Sequence, residues 1–164
     1  MIREIQEKDI AECVDVIRES FLTVADELGY TAENAPRFTA FATTQERLQY
    51  HFEAEHRPMY AYYDDVKIIG YYSLALQENN ECELNNLCVL PQYRHRQIGK
   101  KLLEDAYAKA KEIGCKKMNI GIVEENIVLR KWYEGNGFVH VGTKKFDFFP
   151  FTCGYMKRDL CLEQ

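Results

Sequence analysis

Four fixed positive charges and a glycine lie within eight residues of this chain: Arg94, Arg96, Gly99, Lys100 and Lys101. The apolar pattern that begins at Ile98 predicts a helix, so these cations crowd its first turn. A helix N-terminus already carries about half a positive charge, and cations there are unfavourable. A bound polyanion reverses that argument, because free backbone N–H groups and cationic side chains would hold a pyrophosphate. Gly99 would let the backbone approach the phosphate closely.

The same charges allow other interpretations. Charge runs are usually solvated faces, so this segment could be a basic surface with a glycine that only packs. A Walker A loop is excluded, because it requires glycine at position 94 and serine or threonine at position 101. Nucleic-acid binding would also use these cations, but the net charge of -5 and the lack of a helix-turn-helix pattern count against it.

The elements around this segment follow from hydrophobic periodicity and turn residues. Strands are predicted at about 3–5, 59–63, 67–76, 82–90, 117–123, 138–146 and 153–160, and helices at about 10–21, 44–54, 98–113 and 126–134. Residues 23–43 contain Gly29, Asn34 and Pro36 and are predicted to form a loop or a broken helix. This order predicts one α+β domain over residues 1–164, with a mixed sheet and helices on both faces.

Composition limits the class of protein. Hydrophobic residues make up 46% and charged residues 29%, which is ordinary for a globular domain. No apolar stretch approaches the roughly 18 residues of a membrane helix, and the chain begins without an apolar signal segment. We therefore expect a cytoplasmic protein that engages neither membrane nor nucleic acid. The six cysteines include no C-x-x-C pair, so we expect free thiols and no metal site.

Residues 87–100, LCVLPQYRHRQIGK, resemble the acyl-CoA-binding motif of the GNAT superfamily of N-acetyltransferases. That motif has a strand, then arginine or glutamine, two residues, glycine, one residue, and glycine or alanine. Arg94 and Gly99 match it, whereas Gln97 replaces the first glycine and His95 stands where a glycine is common. The resemblance implies acetyl-CoA as cosubstrate and a GNAT-like, mostly antiparallel central sheet.

A second segment also resembles the family. Asn126 and the run Tyr133–Phe138, YEGNGF, are similar to its N-x-x-A-x-x-x-Y-E-x-x-G-F pattern. Leu129 replaces the usual small residue, and the glycine–phenylalanine pair follows one residue sooner. The residues that we assign to the acyl-CoA site are Leu87, Cys88, Val89, Arg94, His95, Arg96, Gln97, Ile98, Gly99, Lys100 and Asn126.

The resemblance also implies a place for the thioester. The strand that carries Leu87 to Val89 would diverge from the strand at 117–123, and the pantetheine arm would pair with its exposed backbone. The backbone N–H of Leu87 is the candidate oxyanion donor, and Val89 would hold the arm. Both side chains would also pack in the core. In a regular strand, Glu83, Asn85, Leu87 and Val89 would face the same side.

Tyr133 is the candidate general acid, because a tyrosine hydroxyl with a pKa of about 10 can donate a proton to a departing thiolate. Its alternative role is core packing. Glu83 is the candidate general base, with Glu81 as the nearest substitute and a surface glutamate as the alternative. Asn126 would hydrogen-bond the CoA arm or cap the short helix. Cys88 has no adjacent base and is interpreted as structural.

The predicted reaction is transfer of an acetyl group to a primary amine of a small molecule or peptide, by direct attack. The alternative is a CoA-binding module without transferase activity. In the family, the acceptor pocket lies between the first two helices and the last hairpin, here about 21–41 and 146–155. Aromatic residues and carboxylates there predict a pocket for a cationic amine; the alternative is packing or a homodimer contact. The carboxylates are Asp26, Glu27, Glu33 and Asp147.

Overall fold

Seven strands form one mixed sheet in the computed structural model, which describes residues 1–161. The strands are β1 (Ile2–Glu4), β2 (Met59–Asp64), β3 (Lys67–Leu76), β4 (Glu81–Val89), β5 (Lys117–Val123), β6 (Val139–Lys145) and β7 (Thr152–Asp159). Their order across the sheet is β1-β2-β3-β4-β5-β7-β6. The β4–β5 pairing is parallel, and the other five are antiparallel. The predicted α+β class with a mostly antiparallel sheet is confirmed.

Five helices accompany the sheet: α1 (Ile10–Leu28), α2 (Thr39–Ala42), α3 (Gln45–Glu53), α4 (Ile98–Ile113) and α5 (Ile127–Gly135). Helices α1 and α4 cover opposite faces of the two central strands. On one face, the Tyr72 hydroxyl donates to Asp105 of α4 at 2.7 Å. On the other face, α1 packs against β3 and β4, and Cys88, the register partner of Tyr71, shares a buried core with Cys13 and Ile17 of α1. The central strands are therefore buried on both sides, as the apolar run of β3 implies.

Helix α1 is longer than predicted. It continues through Val24 and Ala25 to Leu28 and ends at Gly29, whose φ of 78° is left-handed. The prediction of a loop or broken helix from residue 23 is therefore wrong for the first six residues. Ala25 is fully buried and extends the buried stripe of the helix, but alanine contributes little to a hydrophobic periodicity.

An aromatic cluster fixes the β6–β7 loop against the end of α1. The ring of Phe151 lies 5.1 Å from that of Tyr30 and 5.8 Å from that of Phe38, measured between centroids. Phe149 stacks on Phe151 at 4.5 Å. Aromatic pairs at such distances stabilise a fold beyond their buried area. Part of the aromatic hairpin therefore packs within the chain, which was one of the two interpretations of its sequence.

Candidate active site

The first turn of α4 has the geometry of an anion site. Gln97 precedes the helix with a left-handed φ of 66°, and His95 has a φ of 64°. Among residues 1–161, no side chain caps this helix, so its first N–H groups keep their capacity to bind an acceptor. The side chains of Arg96 and Lys100 are exposed beside the same turn. Backbone and side chains here fit a diphosphate.

The left-handed backbone at Gln97 explains why the family motif has glycine at this position. A residue with a Cβ is disfavoured there, whereas glycine adopts a positive φ without steric cost. Gln97→Gly is expected to raise the free energy of unfolding by about 1 kcal/mol and the Tm by about 2–4 °C. Thermal and urea unfolding of the purified protein would measure both.

Gln92 provides the matched control, since it is an exposed glutamine in the 3-10 turn Pro91–Tyr93 and has no left-handed φ. Gln92→Gly should destabilise the protein by about 0.5–1 kcal/mol, because glycine loses more backbone freedom on folding. Equal effects of the two substitutions would contradict the argument from conformation.

Arg94 has a different position from the one expected of a phosphate ligand. Its Nε donates to the carbonyl of Val89 at 3.0 Å, one Nη donates to Thr23 Oγ1 at 3.0 Å, and the other donates to the carbonyl of Ser20 at 2.9 Å. Three of the five guanidinium N–H donors thus bind protein atoms. The side chain joins the end of β4 to α1, so its contacts are those of a positioning residue.

A bulge interrupts β4 at the predicted thioester site. Ser73 pairs with Asn85 and Tyr71 pairs with Cys88, so Asn86 and Leu87 together lie opposite a single residue of β3. Asn86 adopts a left-handed φ of 57°. Bulges of this kind redirect a strand and occur next to active sites.

The bulge overturns the prediction that Glu83, Asn85, Leu87 and Val89 share one face. Paired residues of an antiparallel ladder lie on the same face, so Asn85 lies on the face of Ser73 and Val89 on the face of Gly70. Ser73 and Gly70 are an odd number of residues apart and lie on opposite faces. The extra residue at Asn86 is the cause, because it shifts the alternation by one.

Strand β4 also separates from β5, as expected. The parallel pairing covers only the register pairs of Glu81, Cys82 and Glu83 with residues 117–119. Within the described part of the chain, Asn86 and Leu87 have no register partner in either neighbouring strand. The backbone of the bulge therefore opens into the gap between β4 and β5, where an extended ligand could pair with it.

Tyr133 is buried close to this gap. Its ring meets the rings of Trp132 and Phe138 edge to face at 5.0 and 5.2 Å. Trp132 in turn lies 3.7 Å from the position of a Cβ on Gly99, so α5 packs against the first turn of α4. Burial raises the pKa of the Tyr133 hydroxyl well above its ordinary value, with a smaller effect from Tyr107 and Cys88. The hydroxyl is therefore a proton donor at neutral pH.

Glu83 belongs to a hydrogen-bonded chain. Its Oε1 accepts from Nδ2 of Asn85 at 2.9 Å, and Oδ1 of Asn85 accepts from an Nη of Arg57 at 3.0 Å. Arg57 also pairs with Glu55 at 2.7 Å. The carboxylate of Glu83 is half-buried on the α1 face of β4, before the bulge. Glu81 is engaged elsewhere, with Asn119 at 2.9 Å, so it is a poorer substitute as a base.

Asn126 caps α5, since its Oδ1 accepts from the N–H of Leu129 at 3.2 Å. It also lines a mostly apolar cavity of about 200 Å³, here called the apolar cavity, together with residues of α1, β5 and β7. The capping role is thus confirmed, while its contact with the CoA arm stays a prediction.

Cys88 is buried, and burial raises the pKa of its thiol to about 12. A thiol with that pKa stays protonated at neutral pH and is a poor nucleophile. Its burial agrees with a structural role. Among residues 1–161, no group of three or more histidine, cysteine or acidic side chains could hold a metal ion.

A second cavity of about 230 Å³ adjoins the first, because Arg37 and Thr39 line both. This cavity, here called the polar cavity, is lined by Arg37, Thr39, Thr43, Arg47, His51, Arg57, Asn85 and Asn86. The sequence did not indicate it, because its residues come from the α1–α2 loop, α2, the α2–α3 loop, α3, the α3–β2 loop and β4. No local spacing connects these segments.

The prediction of an acidic acceptor pocket is wrong for these two cavities. No carboxylate lines either of them. The four proposed acidic residues are exposed at the surface: Asp26, Glu27, Glu33 and Asp147. The aromatic part of the prediction is correct, since Phe149 and Phe151 line the apolar cavity. The carboxylates on the last turn of α1 and in the two loops thus face water and do not line the pocket.

The sequence model of the acetyltransferase (GNAT) family matches residues 26–138, more than half of the chain. The chain belongs to the GNAT family of acetyltransferases. As a member of that family it is an acyltransferase, with acetyl-CoA as its cosubstrate. The match includes the bulge of β4, the first turn of α4 and Tyr133. In the described residues, no helix is long and apolar enough to cross a membrane.

Individual relatives agree with this assignment. Over 154 residues, the GNAT protein is 23% identical to an uncharacterized N-acetyltransferase of Lactobacillus delbrueckii subsp. lactis, covering 88% of this chain and 87% of the relative. Over 84 residues, it is 33% identical to the spermidine N(1)-acetyltransferase of Thermoplasma acidophilum, covering 51% of this chain and 52% of the relative.

Solved structures show the same fold. The PaiA N-acetyltransferase of Thermoplasma acidophilum in complex with coenzyme A superposes with a TM-score of 0.81 at 23% identity, covering 97% of this chain and 98% of the other. The ribosomal-protein-S18-alanine N-acetyltransferase of Escherichia coli superposes with a TM-score of 0.77 at 13% identity, covering 100% and 96%. At these identities the likeness shows the fold alone.

Proposed function

We propose that this GNAT protein transfers the acetyl group of acetyl-CoA directly to a primary amine. The observation that carries the proposal is the opening between β4 and β5, where the bulge at Asn86 and Leu87 leaves the ladder. The first turn of α4 adjoins the end of β4, since Val89 lies 3.9 Å from the position of a Cβ on Gly99, and Trp132 contacts both this turn and the buried Tyr133. An acid, an anion site and free strand backbone are thus adjacent.

The anion site would bind the diphosphate of the cosubstrate through backbone N–H groups of the first turn of α4. Arg96 and Lys100 are exposed there and would neutralise the phosphates. The pantetheine arm would extend along the backbone of residues 87–89, with Asn126 contacting its far side. The N–H of Leu87 would donate to the oxygen that gains negative charge during attack. One such donor typically contributes about 3 kcal/mol of transition-state stabilisation.

Glu83 would accept the proton that the acceptor ammonium must lose before it can attack. An alkylammonium has a pKa of about 10.4, so only a small fraction is neutral at physiological pH. The hydrogen bond from Asn85 orients the carboxylate at 2.9 Å. Tyr133 would then donate its proton to the departing thiolate. The carbon–sulfur bond breaks as the carbon–nitrogen bond forms, and the nitrogen loses a second proton to become an amide. That second proton restores the Tyr133 hydroxyl, while Glu83 releases the first proton to solvent, so the products are the amide, the CoA thiol and one H⁺.

Direct attack is supported by the state of the thiols near the cavity. An acyl-enzyme formed on a cysteine would need an ionised thiol, but burial raises the pKa of Cys88 and also of Cys153, which lines the apolar cavity. An amine acceptor is supported by the names of two relatives, which refer to spermidine and to an alanine of ribosomal protein S18.

Charge reversal at the anion site tests the cosubstrate assignment. The double variant Arg96→Glu, Lys100→Glu should weaken acetyl-CoA binding at least 100-fold at moderate salt, because each lost charge-assisted contact costs about 1.5–3 kcal/mol. Isothermal titration calorimetry would measure the Kd. The double variant Lys8→Glu, Lys144→Glu, at exposed lysines of the 3-10 turn Glu7–Asp9 and of β6, is the control of equal charge change away from the opening. An unchanged Kd in the Arg96→Glu, Lys100→Glu variant would show that the diphosphate does not bind at the first turn of α4.

A further inference from the structure

The polar cavity is built mainly from cationic and neutral polar groups. Three arginines line it, namely Arg37, Arg47 and Arg57, together with His51. Neither Arg37 nor Arg47 forms an ion pair with a carboxylate among residues 1–161. Arg57 does pair with Glu55, which offsets its charge. The lining therefore carries a net positive charge that the protein leaves unbalanced.

His51 gives an independent sign that a ligand completes this cavity. Its Nδ1 is buried and has no hydrogen-bond partner within the described residues. A buried polar atom without a partner costs free energy, so such atoms usually receive a bond from water or a ligand. Burial, followed by the charge of Arg57, lowers the pKa of this histidine, so it is neutral. A neutral imidazole accepts at one ring nitrogen and donates at the other.

The cavity is next to the reacting centre. Asn86 lines it and is the neighbour of Leu87, whose N–H is the candidate oxyanion donor; neighbouring Cα atoms are about 3.8 Å apart. Asn85 also lines it and joins Arg57 to Glu83 through two hydrogen bonds. In an acceptor bound here, the group held by the arginines would be separated by only a few covalent bonds from the amine that Glu83 deprotonates.

We propose that the acceptor is a small amine that carries an anionic group, a carboxylate or a phosphate, close to its reactive nitrogen. Arg47 and Arg37 bind that group in the polar cavity, with His51 as an additional partner. This rests on the proposed function, since it names the acceptor class of the same site. Guanidinium groups bind carboxylates and phosphates through paired hydrogen bonds.

The positive charge of the polar cavity favours an amine with an anionic group over a polyamine. Spermidine, the substrate in the name of one relative, is a polycation and would meet like charges in this cavity. Like charges brought together across a site disfavour binding. An α-amino acid or an amino phosphate has one charge of each sign, so its anionic end meets the arginines while its amine reaches the carboxylate of Glu83.

Matched acceptors test the proposal. Initial rates of thiol release would be measured at saturating acetyl-CoA with free amino acids and their amides, with phosphoethanolamine and ethanolamine, and with spermidine. In at least one matched pair, the anionic member is expected to have a kcat/KM at least tenfold higher, the effect of one hydrogen bond to a charged group. Comparing the carboxylate and phosphate pairs identifies the anion.

Substitution of Arg47 connects that preference to the cavity. Arg47→Gln should reduce the preference at least tenfold without changing the KM for acetyl-CoA, and Arg47→Lys should retain part of it. Arg3→Gln on β1, at the opposite edge of the sheet from β6, is the control and should change nothing. A preference for amides or spermidine, or a preference that survives Arg47→Gln, would overturn the proposal.

Direct binding separates this proposal from the reaction itself. With the diphosphate site filled by saturating CoA, malonate or inorganic phosphate should raise the Tm of the protein. The variant Arg37→Gln, Arg47→Gln should lose that rise. Anion binding without turnover of any amine would contradict the proposed reaction alone. No shift in Tm with either anion, in a protein that does acetylate amines, would overturn the anionic acceptor alone.

Discussion

Tyr133→Phe is expected to lower kcat by about 100-fold and to leave the Kd for acetyl-CoA unchanged. The substitution removes a single hydroxyl, and a positioned general acid typically contributes at least that factor. The ring itself stays, with its edge contacts to Trp132 and Phe138. Steady-state rates and calorimetry on the same preparation would provide both numbers.

Tyr107→Phe is the matched control, because Tyr107 also packs against Phe138. Its hydroxyl donates to the carbonyl of Asn136 at 3.1 Å, which is a structural contact. We expect this variant to lose about 1 kcal/mol of stability and to keep most of its kcat. If Tyr107→Phe impaired kcat as much as Tyr133→Phe, both tyrosines would act through packing.

The pH profile distinguishes the role of Tyr133 further. Burial raises the pKa of its hydroxyl above the ordinary tyrosine value of about 10, so the protonated form persists throughout an assay between about pH 7 and pH 9.5. The ratio of wild-type to Tyr133→Phe kcat should therefore be constant over that range. A ratio that collapses toward one on the alkaline side would show that the Tyr133 hydroxyl ionises in this range, and would contradict a pKa raised by burial.

Local signals predicted where α4 begins and which cations surround its first turn, where we propose that the diphosphate binds. The helix start at Ile98, the cations around it and the glycine are neighbours in sequence, so their geometry follows from the helix alone. The motif around Tyr133 is equally compact. In contrast, the face of the sheet on which each residue of β4 lies depends on one inserted residue, Asn86. Asparagine tolerates a left-handed φ, but nothing in an alternating pattern marks where a strand bulges.

The polar cavity, where we propose that the acceptor binds, could not be predicted for a related reason. Arg37, Arg47 and Arg57 come from separate segments, and each alone is an ordinary surface arginine in sequence. Only the packing of α3 and the α1–α2 loop against the bulged strand brings them together. Composition alone predicted that the acidic residues nearby line a pocket, although carboxylates usually face water. The charge of a pocket depends on tertiary packing, whereas the charge at the end of a helix can be read from neighbouring residues in the sequence.

Arg94→Ala is expected to lower the free energy of unfolding by about 3 kcal/mol, and the Tm by about 6–12 °C. Three charge-assisted hydrogen bonds are lost, to Val89, Thr23 and Ser20. Arg94→Lys should recover little, since one ammonium cannot reach three acceptors that a planar guanidinium spans. Urea unfolding in the absence of CoA would measure both variants.

For Arg96→Ala, two residues further along the chain, we expect a loss of ligand binding and not of stability. Its exposed guanidinium lies 5.4 Å from the ring centre of Tyr93, a surface contact that contributes little to stability. We therefore expect an unchanged Tm without ligand but at least tenfold weaker binding of acetyl-CoA. If Arg94→Ala left the Tm intact and only weakened acetyl-CoA binding, its guanidinium would be a phosphate ligand. The end of β4 would then be held in place by its ladder alone.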